Sequence, residues 1–410
     1  MSDLAGRKMK YTKAVQLIYR CCVTQLLLLF IAAITCCDAK TVELNISSGD
    51  TAVRKTSDNQ IRRFEQELER LRIKFKVPGM SVAILMDQQI VYAHGFGLAD
   101  IENKAPATEH TPYHIASLTK PFAATLVMRM VEQGRLSLDS KMSDILKDTD
   151  FTVNGKAVHG YANLCKELKG LINYPGDKYE MKVRHHLSHT SRGVPGQKYR
   201  YSGWLYGLLT EMLEQVSGKD FERLLVDEIT GPLEMNDTIP NPRQSRTEEL
   251  LERRAKPYQI DETGKAVPSR YPGRIRASAG MVSTVLDLAK FDIALDKNLI
   301  VSEKSKRQMF TATVSNSGQT LPYGLGWFVQ KHGGADLIWH YGWQPDAYSS
   351  LILKAPEHRT TFILLANSDT ASSKFDLDSG NVLNSPFAML FLDFIANADM
   401  QSDLSEEHGK

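Results

Sequence analysis

The chain has 410 residues, of which 42% are hydrophobic and 24% are charged, and its formal net charge is +2. This composition is that of an ordinary globular protein with one large domain or two closely packed ones. The first 39 residues carry five basic and two acidic side chains, so the rest of the chain has 45 basic residues against 46 acidic ones. A body so near neutrality has no basic stripe for nucleic acid, which argues against that class of partner.

The N-terminal segment has the pattern of an export signal. A basic stretch is followed by an apolar run over residues 21–37 and then by Ala39. This order predicts a secretory signal peptide over residues 1–39, cleaved after Ala39, and hence an extracytoplasmic protein, periplasmic or secreted. Two alternatives stay open: the run is kept as a membrane anchor, or Cys36 or Cys37 carries a lipid.

Cysteine and histidine usage argues against a disulfide framework and against a metal centre. Of the five cysteines only Cys165 lies beyond the leader, so the body cannot form an intrachain disulfide. Neither a CxxC pair nor a His-rich spacing of metal ligands occurs. We therefore expect no cofactor and no metal.

The predicted elements place strands at both ends of the chain and helices in the middle. Apolar spacing predicts a helix over residues 59–76, and a hairpin of two strands follows it, with Asp87–Gln89 as the turn. Residues 147–180 are polar and poorly periodic, which indicates either an insertion or a long loop near the serine. Residues 183–297 have mainly helical spacing. Strand patterns return at 323–329, 337–339, 347–353 and 360–365, and a last helix is predicted over about 386–395.

This order predicts an α/β (α+β) fold. An antiparallel sheet built from both chain ends and flanked by helices would carry an inserted, mainly helical domain. The folded domain is predicted over residues 59–398, with the helical insertion over about 135–300. Residues 40–58 would form a tether before it, and residues 399–410 a flexible tail after it.

One short motif, Ser117-Leu-Thr-Lys120, has the chemistry of a nucleophile and its base. Pro121 is tolerated only in the first turn of a helix, so the helix predicted from the following apolar residues must begin close to Ser117. Residues three apart share a helix face, so the Lys120 amine can reach the Ser117 hydroxyl. A lysine whose pKa is lowered can take the serine proton, and the helix N-terminus favours an oxyanion. The alternative is a capping serine followed by a surface lysine.

Further motifs follow in a fixed order along the chain. They are Val183-Arg-His-His-Leu-Ser-His-Thr190, Tyr199-Arg-Tyr-Ser202, Ala279-Gly-Met-Val-Ser-Thr284 with Asp287-Leu-Ala-Lys-Phe291, Tyr323-Gly-Leu-Gly-Trp327 and His340-Tyr-Gly342. Together with the serine motif they make the chain resemble the serine β-lactamase and penicillin-binding-protein superfamily, in its branch of class C β-lactamases, D-alanyl-D-alanine carboxypeptidases and esterases. The resemblance covers roughly residues 60–395.

The resemblance implies a catalytic role for Tyr201. In this branch a Tyr-x-Asn motif supplies a tyrosine that moves the proton between the nucleophile and the leaving group, and Tyr201 matches it. An unperturbed tyrosine has a pKa of about 10, so only an adjacent positive charge, here Lys120, would make its oxygen a base near neutral pH. The alternative is a partly buried structural aromatic.

The resemblance also implies a strand that lines the site. The family has Lys-Thr-Gly or His-x-Gly on this strand, and His340-Tyr-Gly342 matches it. Gly342 would let substrate lie against the strand edge, and the backbone N–H groups of Ser117 and Trp343 would form the oxyanion hole. His340 would face the lysine and the tyrosine, tuning their charge or contacting a substrate carboxylate. A structural histidine is the alternative.

Three positions depart from the family pattern. Gly203 lies at the substrate-binding position where Tyr-x-Asn has its asparagine, whose side chain hydrogen-bonds the amide beside the scissile bond. The family's Pro-Gly-Phe after the third motif is Pro345-Asp-Ala347 here. The His-Thr-Ser-Gly turn continues as His189-Thr-Ser-Arg192, and His189 itself is predicted to belong to a buried turn.

The resemblance thus implies an exported, metal-free serine hydrolase that forms an acyl-enzyme on Ser117. Its partner would be a small-molecule or peptide substrate: an ester, a D-amino-acid peptide or a β-lactam-like amide. Membrane attachment would occur only through the N-terminal segment, and the oligomeric state stays open. The alternative is a catalytically silent binding or structural module. Retention of Ser117, Lys120 and Tyr201 favours the enzyme, and Gly203 favours the alternative.

Overall fold

The two ends of the chain meet in one antiparallel sheet. A computed structural model describes residues 58–168 and 180–407, so the predicted leader and most of the predicted tether lie outside the described residues. The strands, in chain order, are β1 (Gly79–Met86), β2 (Gln89–Asp100), β3 (Ala105–Pro106), β4 (Tyr113–His114), β5 (Asp150–Val153), β6 (Lys156–His159), β7 (Tyr258–Ile260), β8 (Ala266–Pro268), β9 (Val282–Ser283), β10 (Phe328–His332), β11 (Ala335–Gln344), β12 (Tyr348–Ala355) and β13 (Thr360–Ala366). The main sheet has seven strands in the order β10-β11-β12-β13-β1-β2-β3.

The pairing of β1 with β13 joins the N-terminal strands to the C-terminal strands within this sheet. Val82 of β1 lies opposite Leu364 of β13 on one side and opposite His94 of β2 on the other. Every pair of neighbouring strands in the sheet is antiparallel. The predicted fold class, a sheet drawn from both chain ends with helices between them, is confirmed.

Helices cover both faces of the sheet. They are α1 (Asp58–Lys74), α2 (Thr119–Glu132), α3 (Met142–Ile145), α4 (Tyr161–Glu167), α5 (Val183–Leu187), α6 (Gly203–Gly207), α7 (Leu209–Ser217), α8 (Phe221–Leu225), α9 (Thr247–Arg253), α10 (Val285–Asp296), α11 (Glu303–Met309) and α12 (Pro386–Glu407). Phe64 of α1 packs edge-on against Phe362 of β13, and Phe391 of α12 stacks on the same ring. Within the described ranges, no helix has the length and apolarity needed to cross a bilayer.

The other face holds the helix that follows the serine. Phe122 of α2 and Phe291 of α10 stack with ring centroids 3.8 Å apart. Side chains of a strand alternate between faces, so Ala83 and Leu85 of β1 join this second core, while Val82 and Ile84 join the first. A large apolar side chain that is fully buried contributes roughly 1.5–3 kcal/mol over an exposed one, so the two cores hold β1 firmly.

Three predicted elements differ from the structure. The strand predicted over 323–329 begins only at Phe328, because Gly326 has a φ of +81° and turns the preceding chain away from a ladder. The described part of the polar stretch, residues 147–168, contains the hairpin of β5 and β6 and helix α4, which fits the expected insertion and not a long loop. Helix α12 runs through Glu407, beyond its predicted end and into the predicted tail.

Candidate active site

The chain presents Ser117 from a buried and strained segment. Residues 111–128 are all buried except Ser117, which is partly exposed in a single 3₁₀ turn just before α2. Ala116 has a φ of +47°, which side-chain-bearing residues rarely adopt. His114 Nδ1 accepts a hydrogen bond from the Ala116 N–H at 3.2 Å, and the Thr119 hydroxyl donates to the Ala116 carbonyl at 2.8 Å. The helix begins beside Ser117, as the sequence predicts.

The Lys120 amine is in hydrogen-bond contact with the Ser117 hydroxyl. Its Nζ atom is 2.7 Å from Ser117 Oγ and donates to the Ser278 carbonyl at 2.8 Å. The side chain is fully buried, and this burial lowers the pKa of Lys120 to about 7. Nζ also lies 4.9 Å from the ring centroid of Tyr201 and 5.5 Å from that of Tyr206. A substantial fraction of such an amine is neutral near pH 7 and can accept the serine proton.

The Tyr201 hydroxyl remains protonated beside this pair. Burial raises the pKa of Tyr201 well above its ordinary value; interaction with the Ser117 hydroxyl lowers it in part, and the charge of Asp378 raises it further. The hydroxyl oxygen is buried and makes no well-formed hydrogen bond to any residue that the structure describes. A protonated hydroxyl of this kind can donate a proton, and the Lys120 amine, with its lowered pKa, can accept one.

The protein itself occupies both ring nitrogens of His340. Its ring is fully buried, and Nδ1 donates to the Tyr341 carbonyl at 2.7 Å. Burial, and then the charge of Lys120, lower the pKa of His340 well below its ordinary value, so the ring is neutral and Nε2 accepts from the Tyr323 hydroxyl at 2.8 Å. Both nitrogens are thus occupied. A contact between His340 and a substrate carboxylate would require one of these two hydrogen bonds to break.

Gly342 allows β11 to approach the serine, not the substrate to approach β11. A Cβ atom at Gly342 would lie 2.4 Å from the Ile115 carbonyl and 2.1 Å from Ser350 Oγ. Ser350 in turn donates to the same Ile115 carbonyl at 2.7 Å. The missing side chain of Gly342 therefore makes room for the turn that carries Ser117, which is not the reason expected from the family.

The strand edge next to the serine is open. β10 pairs with β11 only as far as Trp339, so residues 340–344 have no strand partner on that side within the described chain. Trp343 lies on this edge and is 45% exposed, and its indole N–H donates to Asp369 at 3.1 Å. An extended substrate can lie along an edge of this kind.

Gly203 leaves free space at the position of the family's asparagine. A Cβ atom there would meet nothing within 4 Å. Ser202 caps α6 by accepting a hydrogen bond from the Leu205 N–H. The missing amide is therefore a difference in chemistry and is not enforced by packing.

Sequence reasoning underestimated His189. The residue is buried in a turn, as predicted, but its ring packs on that of Tyr201 with centroids 4.2 Å apart. Its Nδ1 accepts from the Ser202 N–H at 3.2 Å, and its carbonyl accepts from the Arg200 N–H at 2.8 Å. His189 therefore holds the chain on both sides of Tyr201. The signal for this role is its place in the His-Thr-Ser turn.

Comparisons with known proteins relate the chain to one family. The Beta-lactamase family model matches residues 61–384. Penicillin-binding protein 4* of Bacillus subtilis (strain 168) is 27% identical over 306 residues, which are 68% of this chain and 66% of that protein. D-aminopeptidase of Gluconobacter oxydans (strain 621H) is 25% identical over 304 residues, or 70% of this chain and 55% of that protein. The chain thus spans about two thirds or less of the length of these curated relatives.

A solved structure shows the same architecture. The octameric penicillin-binding protein homologue from Pyrococcus abyssi has a TM-score of 0.62 and 26% sequence identity, and the match covers 76% of this chain and 74% of that one. The family model extends from α1 to the turn just before α12 and includes each motif described above. The resemblance predicted from those motifs is confirmed, and the chain belongs to the Beta-lactamase family.

Proposed function

We propose that the chain is an exported serine hydrolase that acts through an acyl-enzyme on Ser117. The observation that carries the proposal is the buried Lys120 amine, 2.7 Å from the serine hydroxyl and with a pKa near 7. A serine hydroxyl is a weak nucleophile until such a base takes its proton. The relatives named as a penicillin-binding protein and a D-aminopeptidase support this reading.

In acylation, Ser117 Oγ bonds to the substrate carbonyl carbon while its proton passes to the neutral Lys120 amine. The oxyanion faces the backbone N–H groups of Ser117 and Trp343. Tyr201 gives its phenolic proton to the leaving group as the bond between the carbonyl carbon and that group breaks. The Lys120 ammonium then returns a proton to the Tyr201 oxygen, so the net transfer is from serine to leaving group.

In deacylation the same groups act in reverse order. Water attacks the acyl carbon, the Tyr201 and Lys120 pair takes a proton from it, and Ser117 Oγ recovers a proton as the acyl bond breaks. No additional reactant is required. Catalysis by a placed acid and base of this kind contributes roughly 10²–10⁴-fold.

Gly203 bears on which substrates are turned over. Without a side-chain amide at this position, a β-lactam or acylated peptide loses a hydrogen bond worth roughly 0.5–1.5 kcal/mol net. Esters have a better leaving group and depend less on that contact. We therefore expect hydrolysis of short acyl esters or of small D-amino-acid peptides to exceed β-lactam turnover.

Export is a separate part of the proposal and rests on the pattern of residues 1–39. Sequencing the N-terminus of the protein purified from its own cells tests it. A start at Lys40 supports cleavage after Ala39. A lipidated Cys36 or Cys37, or an intact Met1, would instead mean that the chain stays attached to a membrane.

The acyl-enzyme is tested by covalent labelling. The full chain is treated with a fluorophosphonate and, separately, with a labelled penicillin, and the intact mass is measured. We expect one added group with the fluorophosphonate and none in Ser117→Ala, with both proteins folded by circular dichroism. Labelling that persists in Ser117→Ala refutes the assignment, and a folded chain that takes up neither reagent would favour a catalytically silent module.

A further inference from the structure

Three basic residues close together at the end of α9 differ in their partners. Arg253 forms ion pairs with Asp237 at 3.1 Å and Glu249 at 3.2 Å, and Lys256 with Asp100 at 2.8 Å and Glu102 at 3.4 Å. Arg254, between them, makes no hydrogen bond or ion pair with any residue in 58–168 or 180–407, and its Nε atom is buried without an acceptor. A desolvated donor of this kind favours a ligand that can satisfy it.

An aromatic ring holds the Arg254 guanidinium in place. Its central carbon lies 3.8 Å from the ring centroid of Tyr271, which is itself 45% exposed. A guanidinium stacked on an aromatic face keeps its N–H groups free in the plane of the stack. The group is thus positioned but not neutralised, and it is partly exposed to solvent.

The backbone places Arg254 close to the segment that leads to Ser117 and to the end of β11 that follows Trp343. The neighbouring Ala255 donates its N–H to the Pro112 carbonyl at 2.9 Å, and its carbonyl accepts from the Tyr348 hydroxyl at 2.6 Å. Tyr348 lies opposite Gln344, the residue after Trp343, and its ring centroid is 5.6 Å from that of His114. Burial, and then the charge of Arg254, lower the pKa of His114 to about 3, as expected for this proximity.

The two ends of the open segment of β11, at His340 and at Gln344, give the direction of a bound substrate. Tyr201, the proton donor to the leaving group, lies beside His340 and Tyr341, with ring centroids 6.3 and 6.0 Å apart. Arg254 lies near the other end of β11, because the carbonyl of its neighbour Ala255 is bonded to Tyr348, the residue opposite Gln344. A substrate with its leaving group at Tyr201 therefore extends its acyl group towards Arg254.

We propose that Arg254, stacked on Tyr271, forms a subsite for a negatively charged group on the acyl part of the substrate, with a carboxylate as the best match. The inference rests on the proposed function for the direction of the acyl group. A carboxylate can accept two parallel N–H bonds from a guanidinium, and these charge-assisted bonds are stronger than neutral ones. The preferred substrates are then acyl compounds whose chain ends in a carboxylate.

The test uses two esters that differ by one charge. Mono-4-nitrophenyl adipate has an acyl chain that ends in a carboxylate, and methyl 4-nitrophenyl adipate has the same chain with that carboxylate methylated. The ratio of their kcat/KM values is measured for the unaltered chain and for Arg254→Gln. Loss of one charge-assisted contact should lower the anionic-to-neutral ratio about tenfold or more. Arg254→Lys keeps the positive charge but not the two parallel N–H donors, so it should recover part of the anionic-to-neutral ratio.

Arg253→Gln is the matched control, because the guanidinium of Arg253 is already paired with carboxylates, and its ratio should equal that of the unaltered chain. An Arg254→Gln ratio that is also unchanged overturns the subsite. If neither ester is hydrolysed, the proposed function fails, and calorimetric titration of adipate into Ser117→Ala decides the subsite separately. Adipate that binds to Ser117→Ala but not to the double variant Ser117→Ala, Arg254→Gln supports the subsite. Binding that is equal in the two proteins, or absent from both, contradicts it.

Discussion

Two lysines, Lys120 and Lys354, are buried on the same side of the sheet, and they have opposite electrostatic surroundings. Lys120 has the uncharged oxygens of Ser117 and Ser278 as partners, and burial lowers its pKa to about 7. Lys354 of β12 contacts the carboxylates of Asp292 at 2.5 Å and Asp296 at 2.9 Å. Burial alone would lower the pKa of Lys354 too, but the two carboxylates together outweigh it and raise that pKa above its ordinary value.

The comparison shows what lets one buried amine lose its proton and keeps the other charged. Removing an amine from water disfavours its charged form unless an opposite charge compensates. Lys120 lacks a carboxylate partner among the described residues, so it can be neutral and act as a base. Lys354 has two, so it stays charged and joins β12 to α10. Burial by itself distinguishes neither role.

The largest expected effect is on catalysis, at Lys120. Lys120→Met removes the base, so turnover of a 4-nitrophenyl ester should fall ~10²–10⁴-fold. The free energy of unfolding, measured with urea, should change less than in the Lys354 variant below, because no buried carboxylate loses its partner. Turnover close to that of the unaltered chain would remove Lys120 from the mechanism.

The matching change at Lys354 should affect stability instead. Lys354→Met leaves Asp292 buried without its cation, which typically costs about 3–5 kcal/mol. Urea unfolding measures this loss, while kcat per folded molecule should stay near that of the unaltered chain. A large fall in kcat with unchanged stability would show that Lys354 serves catalysis and not the stability of the fold.

A smaller effect is expected at His189, which positions the partner of Lys120. His189→Phe keeps a ring beside Tyr201 but leaves the Ser202 N–H without its acceptor, a loss of roughly 1–3 kcal/mol. His189→Asn can keep an acceptor near Nδ1 and tolerates the φ of +53° at this position. In steady-state kinetics we expect kcat to fall with little change in KM, and Phe to lose more than Asn. The reverse order would indicate that ring packing matters more than the hydrogen bond.

The smallest effect is expected at Gly203, beside the same tyrosine. Since a side chain fits there, Gly203→Asn should add one hydrogen bond to an amide substrate and raise the nitrocefin-to-ester rate ratio by roughly 2–13-fold, which corresponds to 0.5–1.5 kcal/mol. Gly203→Ala is the control, since it adds the side-chain carbon and the helix propensity without the amide. Equal ratios in the two variants would show that the missing amide does not set substrate preference.

Local spacing in the sequence was sufficient to predict the Ser117 and Lys120 pair. Their separation of three residues and Pro121 in the first helical turn determine both the helix start and the contact. The sheet drawn from both chain ends could likewise be predicted, because its strands are apolar and separated by clear turns. The individual strands depend on residues close together in the chain, and the joining of the two chain ends followed from the order of strands and helices along it.

Contacts between distant residues could not be predicted. The Ser278 carbonyl bonded by Lys120 is 158 residues away, and Asp292 is 62 residues from Lys354. The reason for Gly342 depends on the position of Ile115 across the site. The hairpin of β5 and β6 was missed because its four-residue strands bury only Phe151 and Val158, too few for a periodic pattern.

The pH dependence of acylation tests the central claim most directly. The rate of fluorophosphonate labelling of Ser117 is measured by intact mass from pH 5 to 10. Protonated Lys120 cannot accept the serine proton, so the rate should be low in acid, rise through a midpoint at about pH 7 and then level off. A midpoint near the ordinary lysine value of about 10.4, or a rate that does not change with pH, would contradict a neutral Lys120 as the base.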